Sequence, residues 1–245
     1  VRNLFYVKMW YMNESFTGTE KRTGTNQEGR NRYAAFQERI KAGRTNVKDL
    51  REARTQEEIT ERQFTLLVTS HAEELEKRVN IDVLTGIFNR ASLEPRLTEL
   101  MEELNVTGKP ERKFSVKSIM VIYLDIDKFK DLNDTHGHSK GDEALRAVAL
   151  RLRQITKRRI DQLFRVGGDE FVAVLAINED NPRTLEAIFK EKERRLNKGL
   201  ATEGGVEVKL SIGHEVIKVG DNKTVEEVLK TADDKMYEHK NRAKR

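Results

Sequence analysis

Residues 158–174 read RRIDQLFRVGGDEFVAV, and an apolar run lies on each side of the two glycines in this stretch. Runs rich in β-branched and aromatic residues, joined by a short connection that contains glycine, are typical of a β-hairpin. The stretch therefore predicts a hairpin whose tip carries two acids, Asp169 and Glu170. Glycine and aspartate are also ordinary turn residues, so the function of the tip has to be judged from the rest of the chain.

The segments around the hairpin alternate between helix and strand patterns. The sequence predicts helices at 92–105, 139–158, 185–199 and 224–240, and strands at 118–127 and 206–217. The strand SIMVIYLDID (118–127) is almost continuously apolar, as expected of a strand that is buried on both faces. Thr224 and Glu227 form a capping box at the start of the last helix. This order predicts an α/β domain in which helices flank a central mixed β-sheet.

The first third of the chain has a different character. Residues 13–31 lack periodicity and contain three glycines, which predicts a flexible or partly ordered segment over residues 1–31. Residues 32–81 contain no proline and one glycine, and their apolar residues recur at steps of three, four and seven. This spacing predicts a long helical segment, either a parallel coiled coil that dimerises and transmits signals or a helical hairpin or short bundle. Residues 82–245 form the predicted α/β domain.

Composition excludes several classes of protein. The 245 residues include no cysteine, so disulfides, thiolate metal sites and thiol catalysis are excluded, and a reducing, cytoplasmic location is expected. No apolar run approaches the roughly 18 to 20 residues that span a bilayer, so we expect no membrane span. The 46 basic and 41 acidic residues nearly offset each other. The net charge of +5 is therefore only a weak indication of a surface that binds phosphates, and no nucleic-acid partner is expected.

Three acids point to a metal site. Asp125 ends the buried strand, and it would lie beside Asp169 and Glu170 if that strand neighbours the hairpin. Clustered carboxylates repel one another unless cations neutralise them, and oxygen ligands of this kind suit Mg²⁺ or Mn²⁺. The chemistry that this predicts is two-metal phosphoryl transfer. An EF-hand is excluded because Phe129 and Lys130 stand where that loop needs a ligand and a glycine, and the chain contains no P-loop or dinucleotide-binding motif.

Six stretches together resemble the GGDEF family of diguanylate cyclases, in the family's order and spacing from about Asp82 to Lys244. They are RVGGDEF (165–171), DVLTGIFNR (82–90), DIDKFKDLND (125–134), HGHSKGDEAL (136–145), LSIG (210–213) and ADDKMYEHK (232–240). The resemblance implies a palm-like nucleotidyl-cyclase fold. It also implies condensation of two GTP into cyclic di-GMP by two domains that meet head to head in a homodimer.

The resemblance also implies roles for individual residues. Two Mg²⁺ or Mn²⁺ ions per active site would be held by Asp125, the Ile126 carbonyl, Asp169 and Glu170. Asp169, Glu170 and Lys130 would be catalytic. Asn133 and Asp142 would read guanine, and the remaining substrate-binding residues would be Lys128, Phe129, His138, Lys240 and Lys244. Arg158 and Asp161 match the family's inhibitory product site, where cyclic di-GMP would bind as an inhibitor.

The C-terminal run KNRAKR departs from the family pattern, because Ala243 replaces a glycine and Lys244 stands where an arginine is expected. Lysine keeps the charge but loses the two parallel hydrogen bonds of a guanidinium. One alternative is therefore a catalytically weak module that senses GTP or cyclic di-GMP. A cyclase of relaxed base specificity is a second alternative, and Asp142 disfavours it because an acid there accepts hydrogen bonds from guanine.

Overall fold

The structure is a computed structural model that describes residues 27–56, 59–105, 116–156, 158 and 160–243. It divides at Val79 into two compact units, each of which is described by itself. No helix in this described part of the chain has the length and apolar character that crossing a membrane requires.

The described residues of the first unit form three helices: α1 (Gln27–Lys41), α2 (Val47–Thr55) and α3 (Glu61–Asn80). One apolar cluster joins all three, and its buried members are Phe36, Ile40, Leu50, Ala53, Ile59, Phe64 and Leu67. The helical N-terminal segment is confirmed. Within one chain the helices form the short bundle that the sequence left open as an alternative, and a coiled coil between two chains stays a prediction.

Local breaks explain why this segment is a bundle. Gly43 has a φ of 67°, a left-handed conformation that glycine adopts without strain and that ends α1. Asn46 then caps α2 through a reciprocal capping box with Asp49. Helix α1 begins at Gln27, earlier than the predicted start at about Arg32. The rest of the predicted flexible segment lies outside the described residues.

The described residues of the second unit contain five strands and five α-helices. In chain order they are β1 (Phe88–Asn89), a 3₁₀ turn (Arg90–Ser92), α4 (Leu93–Asn105), β2 (Ser118–Ile126), α5 (Phe129–His136), α6 (His138–Ile155), β3 (Gln162–Arg165), β4 (Glu170–Ile177), α7 (Pro182–Asn197), β5 (Leu210–Lys218) and α8 (Val225–Ala243). The strands form one sheet in the order β1-β3-β4-β2-β5. Strands β1 and β3 are parallel, and the other neighbours are antiparallel. The mixed sheet flanked by helices and the β3–β4 hairpin are confirmed.

Strand β2 lies inside the sheet and contributes to two cores. Its even-numbered residues, such as Ile122 and Leu124, pack in the cluster that contains the buried faces of α6 and α7. Its odd-numbered residues Ile119 and Val121 pack in the cluster that contains residues of α4 and α8. Because side chains alternate along a strand, Asp125 continues the row that faces α8. The buried row thus leads directly to an acid at the strand end.

Strand β5 forms an edge of the sheet, and side chains bond its outward backbone groups. The Asn197 amide bonds both the N–H and the C=O of Leu210, and His239 Nδ1 accepts from the N–H of Ile212 at 3.0 Å. Further along, Lys235 donates to the carbonyl of His214, Lys223 to that of Val216, and Asp221 accepts from the N–H of Lys218. Each alternate residue from 210 to 218 therefore has at least one outward group satisfied within the chain.

Several element bounds differ from prediction. Helix α6 ends at Ile155, three residues early, and α7 begins at Pro182, which follows the capping residue Asn181. Strand β5 begins at Leu210 instead of residue 206. Helix α5 was not predicted at all, because its eight residues are largely polar and none is buried.

Candidate active site

Two of the predicted acids are cross-strand neighbours. Asp125 of β2 is paired in register with Glu170, the first residue of β4. The N–H of Ile126 donates to the carbonyl of Asp169 at 3.2 Å. The pairing of β2 with the hairpin therefore brings Asp125, Asp169 and Glu170 to one edge of the sheet, as the sequence predicted.

The glycines of the hairpin tip provide space rather than an unusual backbone conformation. Neither Gly167 nor Gly168 has a φ in the left-handed region. A Cβ on Gly167 would lie 2.4 Å from the carboxylate oxygen Oε2 of Glu170, whereas a Cβ on Gly168 would meet nothing within 4 Å. Gly167 therefore makes room for the Glu170 side chain, and Gly168 leaves open space above the tip.

Arg165 ties this tip to the turn at residues 82–86. Its Nη2 donates to the carbonyl of Gly168 at 2.7 Å, and its Nη1 lies 3.2 Å and 3.3 Å from the two carboxylate oxygens of Asp82. Burial raises the pKa of Asp82, but hydrogen bonds from Thr85 and the charge of Arg165 outweigh it and leave that pKa lowered. Arg153 holds the other side of the turn through the carbonyls of Thr85 and Gly86.

The acids at the edge interact with two residues that we did not predict. Burial, followed by the nearby carboxylates of Asp233, Asp125 and Asp169, raises the pKa of Glu170. Burial and the charge of Glu170 and Asp233 raise the pKa of Tyr123. Both could have been found from their spacing in the sequence, because side chains two apart in a strand or seven apart in a helix lie on the same face. Tyr123 is two residues before Asp125 in β2, and Asp233 is seven residues before Lys240 in α8.

Lys240 makes a close ion pair with Asp125. The Nζ of Lys240 lies 2.5 Å from Oδ1 of Asp125, whose side chain is only 9% exposed. Burial raises the pKa of Asp125 and the charge of Asp169 adds to this, while Lys240 opposes the rise. Burial alone would lower the pKa of Lys240, but its hydrogen bond to Asp125 raises it. The lysine therefore remains charged and partly neutralises the acidic edge.

Helix α8 reaches this position because it packs directly on the backbone of β5. Val228, Ala232 and Met236 are buried at steps of four residues, and Lys240 continues this row. At Gly213, a Cβ would lie 2.2 Å from both the Ala232 carbonyl oxygen and the Met236 nitrogen. Glycine in the LSIG stretch is thus what permits the close approach of the helix.

The predicted guanine-reading residues lie on α5 and α6. The Oδ1 atom of Asn133 is buried without a hydrogen-bond partner in the described structure. A Cβ on Gly141 would lie 2.0 Å from this oxygen, so only glycine at this position leaves room for the Asn133 side-chain amide. Asp142, one residue later, is half-exposed and lies 3.7 Å from Arg146. A buried polar atom without a partner needs an explanation, and a polar recognition site next to the half-exposed acid is one that fits.

The remaining predicted substrate residues lie on or directly before the same two helices, or at the chain end. Lys128 precedes α5 with a φ of 55°, a rare conformation for a residue other than glycine. Lys128, Lys130 and His138 are exposed, and Phe129 is half-buried. Lys244 lies outside the described residues.

Arg158 and Asp161 lie on the margin of a separate cleft. Arg158 Nη1 donates to the Ala176 carbonyl and to Asn178, each at 2.8 Å. Asp161 accepts from the backbone N–H groups of Arg158 and Ala176. Both side chains also line a cleft of about 380 Å³ that reaches Lys192. They therefore brace the start of β3 against β4 and at the same time border a space that could hold a ligand.

The acidic edge fits a divalent cation by its chemistry. Asp125, Asp169 and Glu170 offer carboxylate oxygens, the donors that Mg²⁺ prefers, and a lysine ammonium stands beside the most buried of them. Within the described ranges, however, no three histidine or carboxylate side chains are already grouped as a metal site. The donors nevertheless fit a metal, since Mg²⁺ is commonly bound by one or two carboxylates together with waters and substrate phosphates.

Residues 79–245, more than half of the chain, match the family model described as "Diguanylate cyclase, GGDEF domain". The chain therefore belongs to the GGDEF family of diguanylate cyclases. It is 32% identical over 181 residues to diguanylate cyclase DosC of Escherichia coli, an alignment that covers 74% of this chain and 37% of DosC. The chain thus spans well under half the length of the curated relatives it matches.

Solved structures show the same fold. A sensory box/GGDEF family protein of Caulobacter crescentus is 30% identical with a TM-score of 0.56, over 66% of this chain and 99% of that one. The coiled coil and GGDEF domain of DgcB, also from Caulobacter crescentus, gives a TM-score of 0.57 at 23% identity, over 71% of this chain and 87% of that one.

Proposed function

We propose that this chain condenses two GTP molecules into cyclic di-GMP and two pyrophosphates, working as a homodimer where GTP is available in the cytoplasm. The observation that carries the proposal is the acidic edge, where buried Asp125 lies in register beside Glu170 and the hairpin tip presents Asp169. A lysine charge accompanies these acids. Acids and lysines of this kind suit the transfer of a nucleotidyl group from a triphosphate to a hydroxyl, with pyrophosphate as the leaving group.

The residues divide the work as follows. Asp125, the Ile126 carbonyl, Asp169 and Glu170 would hold two Mg²⁺ or Mn²⁺ ions, which lower the pKa of the attacking hydroxyl and neutralise charge on the transferred phosphate. Asp169 or Glu170 accepts the proton of the 3′-hydroxyl as its oxygen bonds to the α-phosphorus of the second GTP. Pyrophosphate leaves as the bond between the α-phosphorus and the oxygen that bridges it to the β-phosphate breaks, and the same reaction at the other GTP closes the ring and releases the second pyrophosphate. Lys130 stabilises the developing charge.

Base selection is assigned to Asn133 and Asp142. A carboxylate accepts from guanine N1–H and N2–H, and adenine offers no such pair of donors. The unpartnered Oδ1 of Asn133 supports this assignment because a bound base would supply the missing hydrogen bond. Sites that contain such groups discriminate strongly, since a wrong base leaves them unpaired.

One domain holds one GTP, so two domains have to meet. Helix α3 carries exposed apolar residues near its end, Leu75 at 49% and Val79 at 65% exposure. Burial of such residues between two chains would supply a dimer contact. The domains would then be tethered at a high effective concentration, which gives α3 a dimerising role.

Product inhibition is proposed at the cleft beside Arg158 and Asp161. Arginine can donate two parallel hydrogen bonds to guanine O6 and N7, and the cleft of about 380 Å³ provides room beside the pair. We expect Arg158→Ala to keep its initial rate and lose inhibition by added cyclic di-GMP. Arg194→Ala, which removes an exposed arginine of α7 paired with Glu191, should be inhibited as the wild type is. Equal inhibition of both variants would refute the product site.

Incubation with GTP and Mg²⁺, followed by identification of the product by mass, tests the main proposal. We expect cyclic di-GMP from the wild type and a loss of at least about 100-fold in Asp125→Asn, which keeps the side-chain shape but removes the charge. Thermal melting checks that the variant is folded. Binding of GTP without any product would instead support the catalytically weak sensing module, and a mixed product would indicate relaxed specificity.

A further inference from the structure

The Asp125–Lys240 ion pair occupies the oxygen that the proposed function gives to a metal. Lys240 Nζ lies 2.5 Å from Oδ1 of Asp125. Mg²⁺ binds carboxylate oxygens at about 2.0–2.1 Å and demands a nearly ideal octahedral arrangement of ligands. With the Asp125 side chain 9% exposed, an ammonium in contact with it leaves little of the carboxylate accessible to a hydrated ion.

Electrostatic repulsion also disfavours binding of the Lys240 ammonium and a divalent metal to Asp125 at the same time. A lysine at its ordinary pKa is protonated at neutral pH, and a divalent ion bound to the same carboxyl group would lie within a few ångströms of it. Repulsion at that distance is strong in a partly buried site, where solvent screens poorly. Metal and ammonium therefore compete for Asp125.

The packing of the rest of α8 fixes the position of the Lys240 backbone. Ala232 and Met236 are buried against β5, and the approach at Gly213 leaves no space for the helix to slide closer. The side chain of Lys240 is 24% exposed, and its flexible four-carbon stem lets the charged end move while the helix stays in place. The pair can thus open by a side-chain rotation alone.

We propose that Lys240 is a removable counter-ion, which holds Asp125 until metal binds and releases it to a divalent metal when a nucleotide polyphosphate draws the ammonium away. The proposal rests on the proposed function, in which Asp125 is a metal ligand. Nucleotide and metal then bind with positive coupling, because each favours the state in which the pair is open. The free protein would hold metal weakly at cellular concentrations.

Binding of Mn²⁺ alone to the full chain, measured by electron paramagnetic resonance without nucleotide, tests this coupling. We expect Lys240→Gln to bind Mn²⁺ about tenfold or more tightly than the wild type, within the range of about 5- to 150-fold that is typical of coupled sites. Lys240→Arg keeps the charge and should bind as weakly as the wild type. Lys235→Gln is the matched control, since it removes a lysine from the same helix that pairs with Glu215 at 2.6 Å, and it should leave Mn²⁺ binding unchanged.

A second measurement uses a GTP analogue that cannot react. The analogue should increase the Mn²⁺ affinity of the wild type by a larger factor than that of Lys240→Gln, where no lysine has to be displaced. Thermal melting of each variant, with and without Mn²⁺, confirms folding and should show a larger metal-dependent rise in Tm for Lys240→Gln.

The outcomes separate the two proposals. If Asp125→Asn weakens Mn²⁺ binding but Lys240→Gln does not strengthen it, the metal site stands and the counter-ion role is wrong. If Mn²⁺ binds to neither the wild type nor Lys240→Gln, both are wrong. If Lys240→Gln tightens Mn²⁺ binding in a protein that makes no cyclic di-GMP, the counter-ion role stands and the proposed reaction fails.

Discussion

Gly213→Ala should disrupt the contact between β5 and α8 on which the position of Lys240 depends. The new methyl group would lie 2.2 Å from two backbone atoms of α8, the Ala232 oxygen and the Met236 nitrogen. Comfortable contacts between non-bonded heavy atoms are roughly 3.5–4.0 Å, so the helix has to move by about 1 Å or more. Neither atom belongs to a flexible side chain that could rotate away.

The cost follows from this displacement. Overpacking of a core typically costs about 1–3 kcal/mol, occasionally more, and a clash with backbone on both sides belongs at the upper end, about 3 kcal/mol. For a chain of this size that corresponds to a fall of roughly 6–12 °C in Tm. A shift of about 1 Å near reacting groups can also reduce the rate by about 100-fold.

Urea denaturation, thermal melting and cyclic di-GMP formation measure these effects. Gly168→Ala is the control for stability, because its Cβ would enter open space, and it should remain within about 0.5 kcal/mol of the wild type. A Gly213→Ala protein with the unfolding midpoint of the wild type would show that α8 does not rest on β5 as described.

Three further results are expected. Arg165→Met removes the link to Asp82, and a charge-assisted contact of this kind is worth about 2 kcal/mol, which urea denaturation should show as a loss of stability. Burial, with help from the nearby charge of Lys235, lowers the pKa of His214 below its ordinary 6.5. The neutral imidazole therefore contributes stability above pH 6.5, and this contribution is lost as the pH falls because the unfolded chain takes up the proton more readily. In His214→Gln the urea midpoint should fall less between pH 7.5 and pH 5.5 than it does in the wild type. Gly141→Ala places a methyl group 2.0 Å from the Asn133 amide oxygen, so the KM for GTP should rise by at least about tenfold while the fold, checked by circular dichroism, is kept.

Local sequence rules predicted those parts of the fold that depend on neighbouring residues. The capping box of Thr224 and Glu227 forms: the backbone N–H of Thr224 donates to the Glu227 carboxylate, and the backbone N–H of Glu227 donates to the Thr224 hydroxyl. The apolar run of β2 is buried, and the hairpin that follows it in the chain pairs with it. These features could be predicted because periodicity and capping act over a few residues.

What could not be predicted depends on contacts between distant segments. Helix α5 has no buried residue, so its sequence lacks the apolar periodicity from which a helix is predicted. Gly167 is needed because the Glu170 side chain folds over it, and the sequence does not reveal that rotamer. The ion pair of Lys240 with Asp125 joins residues 115 positions apart. The bundle that the N-terminal helices form within one chain depends on the breaks at Gly43 and Asn46, which are brief compared with the apolar seam around them.

The bonded edge of β5 limits how copies of this domain can join. An incoming strand needs free outward N–H and C=O groups, and exposed edges are a common route to aggregation. Here such a strand would first have to displace side chains that reach β5 from α7, from α8 and from the loop between β5 and α8. Growth of the sheet from one molecule to the next is therefore blocked on this side. For the reaction proposed above, in which two domains meet face to face, this block is an advantage, because encounters that end in strand addition would remove domains from the pool able to react.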